Sequence, residues 1–166
     1  MTPFEITHRF ADIAPGDLLA AMTTPEHQAL QDRIANIERR DVIERSSDGK
    51  LYRCESMVYP ARKIPAYVRP LLGGGLECHE IVLWDKANDY FEIDVHPAVL
   101  GGRSHVRMKC EAAADGSDTV RQYSGQVTVE VRLIGAKVER SIVSEMLKTM
   151  EASAEATRTW LAQRVG

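Results

Sequence analysis

The C-terminal region carries an apolar stripe at helical spacing, and this stripe restricts the possible folds more than any other feature of the sequence. From Gly135 onward, apolar or small residues recur at steps of three and four over about thirty residues, at Val138, Ile142, Met146, Thr149, Met150, Ser153, Thr157, Trp160 and Leu161. The opposite face holds Lys137, Glu151, Glu155 and Arg158. Such a helix must bury its stripe against a large apolar surface supplied by the rest of the chain.

A strand and two short helices are predicted at the N-terminus. Apolar and polar residues alternate from Phe4 to Phe10, which is the pattern of a half-buried strand. A short helix is predicted over 17–22. A second helix follows Thr24, whose hydroxyl suits an N-cap in front of a proline at the first helical position, and ends near residue 35.

The middle of the chain reads as antiparallel strands. Asp48-Gly49 predicts a hairpin between Ile37–Arg45 and Lys50–Tyr59. Further turns are predicted around Ala87-Asn88, at Gly101-Gly102 and at 115–116. With these turns the apolar residues stay on one face, and the predicted pairs are Trp84 with Phe91, Val82 with Ile93, Glu80 with Val95, Ile93 with Val106, Phe91 with Met108, Met108 with Tyr123, and Ser104 with Val127.

Composition excludes several classes of protein. The chain has 166 residues, 44% hydrophobic and 27% charged, as expected for one ordinary globular domain. A net charge of −3 argues against nucleic acid as a partner. No leader and no membrane span are visible, and the odd number of cysteines (Cys54, Cys78 and Cys110) favours thiols in a reducing compartment. A cytoplasmic location is therefore expected.

The order of these elements resembles the helix-grip fold of the START-like superfamily, also called SRPBCC or polyketide cyclase/dehydrase-like. The resemblance is carried by residues 14–22 (APGDLLAAM), Thr24-Pro25-Glu26, residues 80–84, and residues 129–139 (VEVRLIGAKVE), the last of which is similar to an uncharacterised bacterial branch whose function is unknown. It covers nearly the whole chain. It implies an α+β fold in which a curved antiparallel sheet of about seven strands wraps around the terminal helix, within one domain of residues 1–166.

The resemblance also implies a cavity between the sheet and the terminal helix. Members of the superfamily bind lipids, sterols, polyketides or other apolar molecules, so binding or carriage of such a small apolar or amphipathic ligand is the leading hypothesis, with no cofactor. The residues expected to line the cavity are His8, Glu80, Trp84, Phe91, Ile93, Val106, Met108, Tyr123, Val127, Met146 and Met150.

Glu80 is the residue most suited to chemistry. It shares its predicted face with apolar residues, where a carboxyl group would have a raised pKa and could act as an acid or base. The alternative is an acid paired with a buried arginine or with backbone donors, as buried acids normally are. His8 and Tyr123 are likewise either ligand-orienting groups or ordinary core residues.

Two other functions stay open beside ligand binding, which is favoured over catalysis. The first is a cyclase or dehydratase type of enzyme with Glu80 as acid or base, which would need a second group such as His8 or Tyr123. The second is an interaction module with a filled core, whose exposed Ile81 and Leu83 would serve a homodimer contact.

Two further segments each allow a functional and a purely structural interpretation. The stretch Tyr67 to Leu72 is either a lid over the cavity mouth or a plain connection. His79 is predicted opposite His96, with His105 on the next strand. These histidines lie on the outer face without close cysteine or histidine spacing along the chain, so exposed side chains are expected there rather than a metal site.

Overall fold

One antiparallel sheet and one long helix make up most of the protein. The computed structural model describes residues 1–61, 66, 70 and 75–165. Along the chain the elements are β1 (Thr2–Phe10), α1 (Pro15–Met22), α2 (Pro25–Ile34), β2 (Ile37–Ser47), β3 (Leu51–Pro60), β4 (Cys78–Asp85), β5 (Tyr90–Pro97), β6 (Ser104–Asp115), β7 (Asp118–Val129) and α3 (Gly135–Val165).

The seven strands form a single curved sheet in the order β1-β7-β6-β5-β4-β3-β2. Strands β2 to β7 are consecutive neighbours, and β1 pairs with β7, so the first and last strands of the chain lie side by side. Helix α3 packs against β1, β7 and α2. The predicted α+β helix-grip fold is confirmed.

The predicted helix starts and the first hairpin are found with small differences in length. Both α1 and α2 have proline in their first turn, and Thr24 Oγ1 accepts a hydrogen bond of 3.2 Å from the His27 N–H as the N-cap of α2. In the β2–β3 turn, Asp48 Oδ1 accepts hydrogen bonds from the Lys50 and Leu51 N–H groups at 2.7 and 2.8 Å. Such turns from an aspartate side chain end one strand and start the next.

The registers of the last two hairpins differ from the predicted ones. Val82 lies opposite Ile93 as predicted. Ile93, however, lies opposite Met108 instead of Val106, because a short 3-10 helix over Val99–Gly102 replaces the predicted Gly-Gly turn.

Strands β6 and β7 are displaced in the same way. The predicted pairs of Met108 with Tyr123 and of Ser104 with Val127 are wrong, and the observed partners are Gly125 and Val129. The reason is that the turn lies at residues 116–117, where Gly116 has a φ of 64°. Each register moves by two positions, which leaves every side chain on its predicted face because faces alternate along a strand.

The inner face of the sheet and α3 share one apolar core. Leu18 and Leu19 of α1 are fully buried in it. Its buried members include these residues of the predicted cavity wall: Trp84, Phe91, Val106, Met108, Tyr123, Val127 and Met150, with Ile93 and Met146 partly buried beside them.

No helix in the described ranges combines the length and apolarity needed to cross a bilayer. The predicted lid, Tyr67 to Leu72, lies outside the described residues except for Pro70.

At Gly125 the backbone of β7 lies close to β6. A Cβ atom at this position would overlap the Arg107 carbonyl oxygen and lie 2.7 Å from the Met108 Cβ. Because backbone atoms rather than flexible side-chain ends would have to move, only glycine fits between β6 and β7 here. By contrast, a Cβ at Gly16, in the first turn of α1, would meet nothing within 4 Å.

We expect Gly125→Ala to lower the free energy of unfolding by about 1–3 kcal/mol, as overpacking of a filled core does. Gly16→Ala is the matched control, and it should leave stability unchanged or raise it by about 0.5 kcal/mol because alanine restricts the unfolded chain. Urea unfolding followed by circular dichroism measures both. Equal stability of the two variants would contradict the close approach at Gly125.

Candidate functional site

A fully buried arginine lies beneath the sheet, between β7 and α3. Arg121 has no exposed surface, and it lies opposite His8 across the β1–β7 pair. Its guanidinium carbon is 4.7 Å from the centre of the Phe10 ring and 5.1 Å from that of Tyr123. The aromatic faces offer a favourable but weak environment for the positive charge.

The guanidinium of Arg121 is only partly satisfied. Its Nη1 donates to Thr157 Oγ1 at 3.2 Å and to the Met22 sulfur at 3.3 Å. Its Nε and Nη2 are buried and have no hydrogen-bond partner among the described residues. Arg121 forms no ion pair in that part of the chain, and the remaining positions, 62–65, 67–69, 71–74 and 166, contain no aspartate or glutamate.

An unpaired buried charge is costly. Breaking a buried ion pair by removing one partner typically costs about 3–5 kcal/mol, because an uncompensated charge is left behind. Arg121 is in that situation with respect to the protein's own side chains. Arg121 is therefore a candidate functional residue.

His27 lies beside Arg121 and is held neutral. It is completely buried, and its Nε2 is 2.8 Å from Thr157 Oγ1. The Thr157 hydroxyl has one hydrogen, which it donates to the Ser153 carbonyl at 2.8 Å, so its oxygen accepts from both Arg121 and His27. This assigns the proton of His27 to Nε2. Burial first, and then the charge of Arg121, lower the pKa of His27 to about 4.

His8 and Tyr123 complete what we call the inner polar cluster: His8, His27, Arg121, Tyr123, Ser153 and Thr157. His8 Nε2 lies 3.3 Å from the exposed Glu151 carboxylate. Burial and the Arg121 charge lower its pKa, which the Glu151 charge only partly opposes. The Tyr123 hydroxyl lies 3.5 Å from Ser153 Oγ, and burial raises its pKa. Among these residues only Arg121 carries a charge near neutral pH.

Glu80 lies in a separate ionic network. Its Oε1 accepts a 2.7 Å hydrogen bond from Arg40 Nη1, and Arg40 also binds both carboxylate oxygens of Asp32 at 2.9 and 3.0 Å. Burial opposes the charge of Arg40, but the Glu80 and Asp32 carboxylates outweigh it and raise its pKa. These contacts agree with the second interpretation of Glu80, in which the acid is paired with a buried arginine. The network joins α2 to β2 and β4.

The sequence pattern located part of this site. His8 and Tyr123 were predicted as inward-facing residues and belong to the inner polar cluster, while Glu80 does not. Arg121 and His27 were missed. Arg121 shares the inward parity of Tyr123 two positions away, so the alternation of β7 was a usable signal for it. His27 carries no such signal, because its burial depends on how α2 packs against α3.

Comparison with known proteins supports the fold. Residues 5–161 match the family model described as "Protein of unknown function (DUF2505)". No curated protein matches in sequence.

Several solved structures share the architecture. A protein from Thermus thermophilus has a TM-score of 0.66 and 11% identity, with 99% of each chain covered. The Zhui aromatase/cyclase from Streptomyces sp. R1128 has a TM-score of 0.61 and 12% identity, covering 99% of this chain and 96% of that one. A START superfamily protein from Mycobacterium smegmatis has a TM-score of 0.58 and 13% identity, covering 98% and 99%. At these identities the likeness establishes the START-like fold alone.

The low pKa of His27 makes stability depend on pH in a defined window. Its folded-state pKa of about 4 lies below the ordinary value of 6.5, so protons bind the unfolded chain more tightly. The His27 contribution to stability should be complete above about pH 6.5 and be lost progressively as the pH falls toward 4. His27→Gln, which can still donate to Thr157, should flatten this dependence. Urea unfolding at a series of pH values measures it, and an unchanged slope in the variant would contradict the assignment.

Proposed function

This chain belongs to the DUF2505 family, and from its own residues we propose that it binds an amphipathic small molecule whose anionic group pairs with Arg121. The observation that carries the proposal is the fully buried guanidinium, which has no carboxylate partner among the described residues. A ligand carboxylate would supply the missing charge. It would turn an unfavourable buried cation into a charge-assisted hydrogen-bonded pair.

The free edge of Arg121 has the right shape for a carboxylate. Nε and Nη2 are neighbours on the guanidinium plane and form one edge, while Nη1 is held by Thr157 and Met22. Two parallel N–H groups match the two oxygens of a carboxylate. The neighbouring His8 and His27 have lowered pKa values, so they do not add competing positive charge.

The apolar part of the ligand has a matching environment. Around Arg121 lie the Phe10 and Tyr123 rings, and the same core contains Met108 and Met150. Methionine side chains adapt to ligands of irregular shape. The fold is one that an aromatase/cyclase and a START superfamily protein also use, which supports a role in handling small apolar molecules at the level of analogy.

The two alternatives have less support. Catalysis by Glu80 would require its carboxylate to leave Arg40, with which it forms a 2.7 Å hydrogen bond. A filled-core interaction module would not explain why Arg121 is buried without a carboxylate partner among the described residues. Leu83 is 39% exposed, but Ile81 is partly buried, so these two residues alone make a small homodimer contact.

Matched acids and alcohols test the proposal. Dodecanoate and dodecanol, and 1-naphthaleneacetate with the corresponding alcohol, are titrated against the protein by displacement of an apolar fluorescent dye. A hydrogen bond to a charged group is worth about 1.5–3 kcal/mol, so each acid should bind at least roughly tenfold more tightly than its alcohol. In Arg121→Met the preference for the acid should disappear.

Arg107→Met is the matched control. Arg107 lies on the outer face with its side chain 72% exposed, so its loss should leave the preference unchanged. Arg121→Met should fold at least as stably as the wild type, because replacing a buried charge by an apolar side chain of similar length is neutral or stabilising. Equal binding of acids and alcohols by the wild type, or a preference that survives in Arg121→Met, would disprove the proposal. Mass spectrometry of natively purified protein would identify a co-purified ligand.

A further inference from the structure

Three of the five histidines form a row across the outer face of the sheet, on the side away from the inner polar cluster. His79 of β4 lies opposite His96 of β5, with ring centres 6.2 Å apart. The rings of His96 and His105 of β6 are stacked at 4.3 Å, with an angle of 11° between their planes. Neighbouring strands thus bring imidazoles together that are well separated along the chain.

Asp94 adds a carboxylate to this row. It precedes His96 by two residues on β5, so both side chains leave the same face of the strand. Its Oδ1 lies 2.9 Å from His105 Nε2. One potential ligand atom from each of Asp94, His96 and His105 lies within 4.8 Å of the other two.

A tetrahedral ion with bonds of about 2.1 Å holds its ligand atoms roughly 3.4 Å apart. The His96 and His105 rings would therefore have to turn out of their stacked arrangement to direct their nitrogens at one ion. Two imidazoles and one carboxylate are a ligand set of zinc and other divalent transition metals.

We propose that Asp94, His96 and His105 bind a divalent transition-metal ion such as Zn²⁺. Chain spacing alone gave no sign of it, since the three ligands meet only through the pairing of β5 with β6. The inference does not depend on the proposed ligand at Arg121, which faces the opposite side of the sheet.

The surroundings of these three residues suit a bound ion. His96 and His105 line an open cleft of about 360 Å³, which leaves space for a water or another small ligand at a fourth position. Arg107 Nε is 3.5 Å from Asp94 Oδ1, but its side chain is 72% exposed and can turn into solvent when a cation replaces it. His79, beside the site, is held by Glu55 through a 2.6 Å contact at its Nε2.

Cobalt serves as the spectroscopic probe. Tag-free protein at pH 7.5 is titrated with Co²⁺, and Zn²⁺ is then added as competitor, with Zn²⁺ binding also followed by calorimetry. We expect one equivalent of Co²⁺ to bind with visible absorption bands that Zn²⁺ removes. Loss of a residue that only hydrogen-bonds to a metal ligand weakens metal binding about 10–100-fold. Loss of a ligand itself should cost at least as much, so Asp94→Asn and His96→Gln should each weaken binding at least roughly tenfold.

Glu92→Gln is the matched control. Glu92 is an exposed carboxylate on the same face of β5, two residues before Asp94, and its loss should change affinity by less than about twofold. Because His96 is exposed, the variants should keep the wild-type circular dichroism spectrum and melting temperature without metal. Absence of saturable Zn²⁺ binding up to about 1 mM, or equal binding by wild type, Asp94→Asn and His96→Gln, would overturn the proposal.

Discussion

The sheet has to close over α3, because this helix carries a face that water cannot cover favourably. The two strands that contact α3 most are β1 and β7. They are the first and the last strand along the chain, and they are neighbours in the sheet. Their pairing places His8 beside Arg121. The inner polar cluster therefore exists only because the helix is enclosed, and its members come from elements that no local interaction brings together.

Periodicity was sufficient to predict the order of elements and the inward face of each strand. Trp84, Phe91 and Val127 were assigned to the core from alternation alone, and they are buried. Turn geometry was not predictable at the same level, because a 3-10 helix and a Gly-Gly turn use the same residues. Local pattern also cannot say which charges meet: Arg40 and Glu80 are distant in sequence, and only the fold shows that they form a pair.

The two buried arginines, Arg40 and Arg121, have different surroundings. Arg40 is compensated by Asp32 and Glu80, and it fixes α2 to the sheet. Arg121 has no such compensation in the part of the chain that the structure describes, and an uncompensated buried charge lowers stability. Natural proteins commonly keep unfavourable groups of this kind where function needs them, and they offset the cost elsewhere in the core. The contrast distinguishes an arginine that is paired within the sheet, Arg40, from one that has no carboxylate partner among the described residues, Arg121.

The alternation of inward and outward side chains along the last hairpins has a consequence for how the length of these strands can change. Inserting or deleting residues in pairs next to a turn exchanges each inward side chain for its next inward neighbour, so the core keeps an apolar wall. A single residue inserted within a strand would turn Val106, Met108 and Cys110 outward unless a bulge or a longer turn absorbed it.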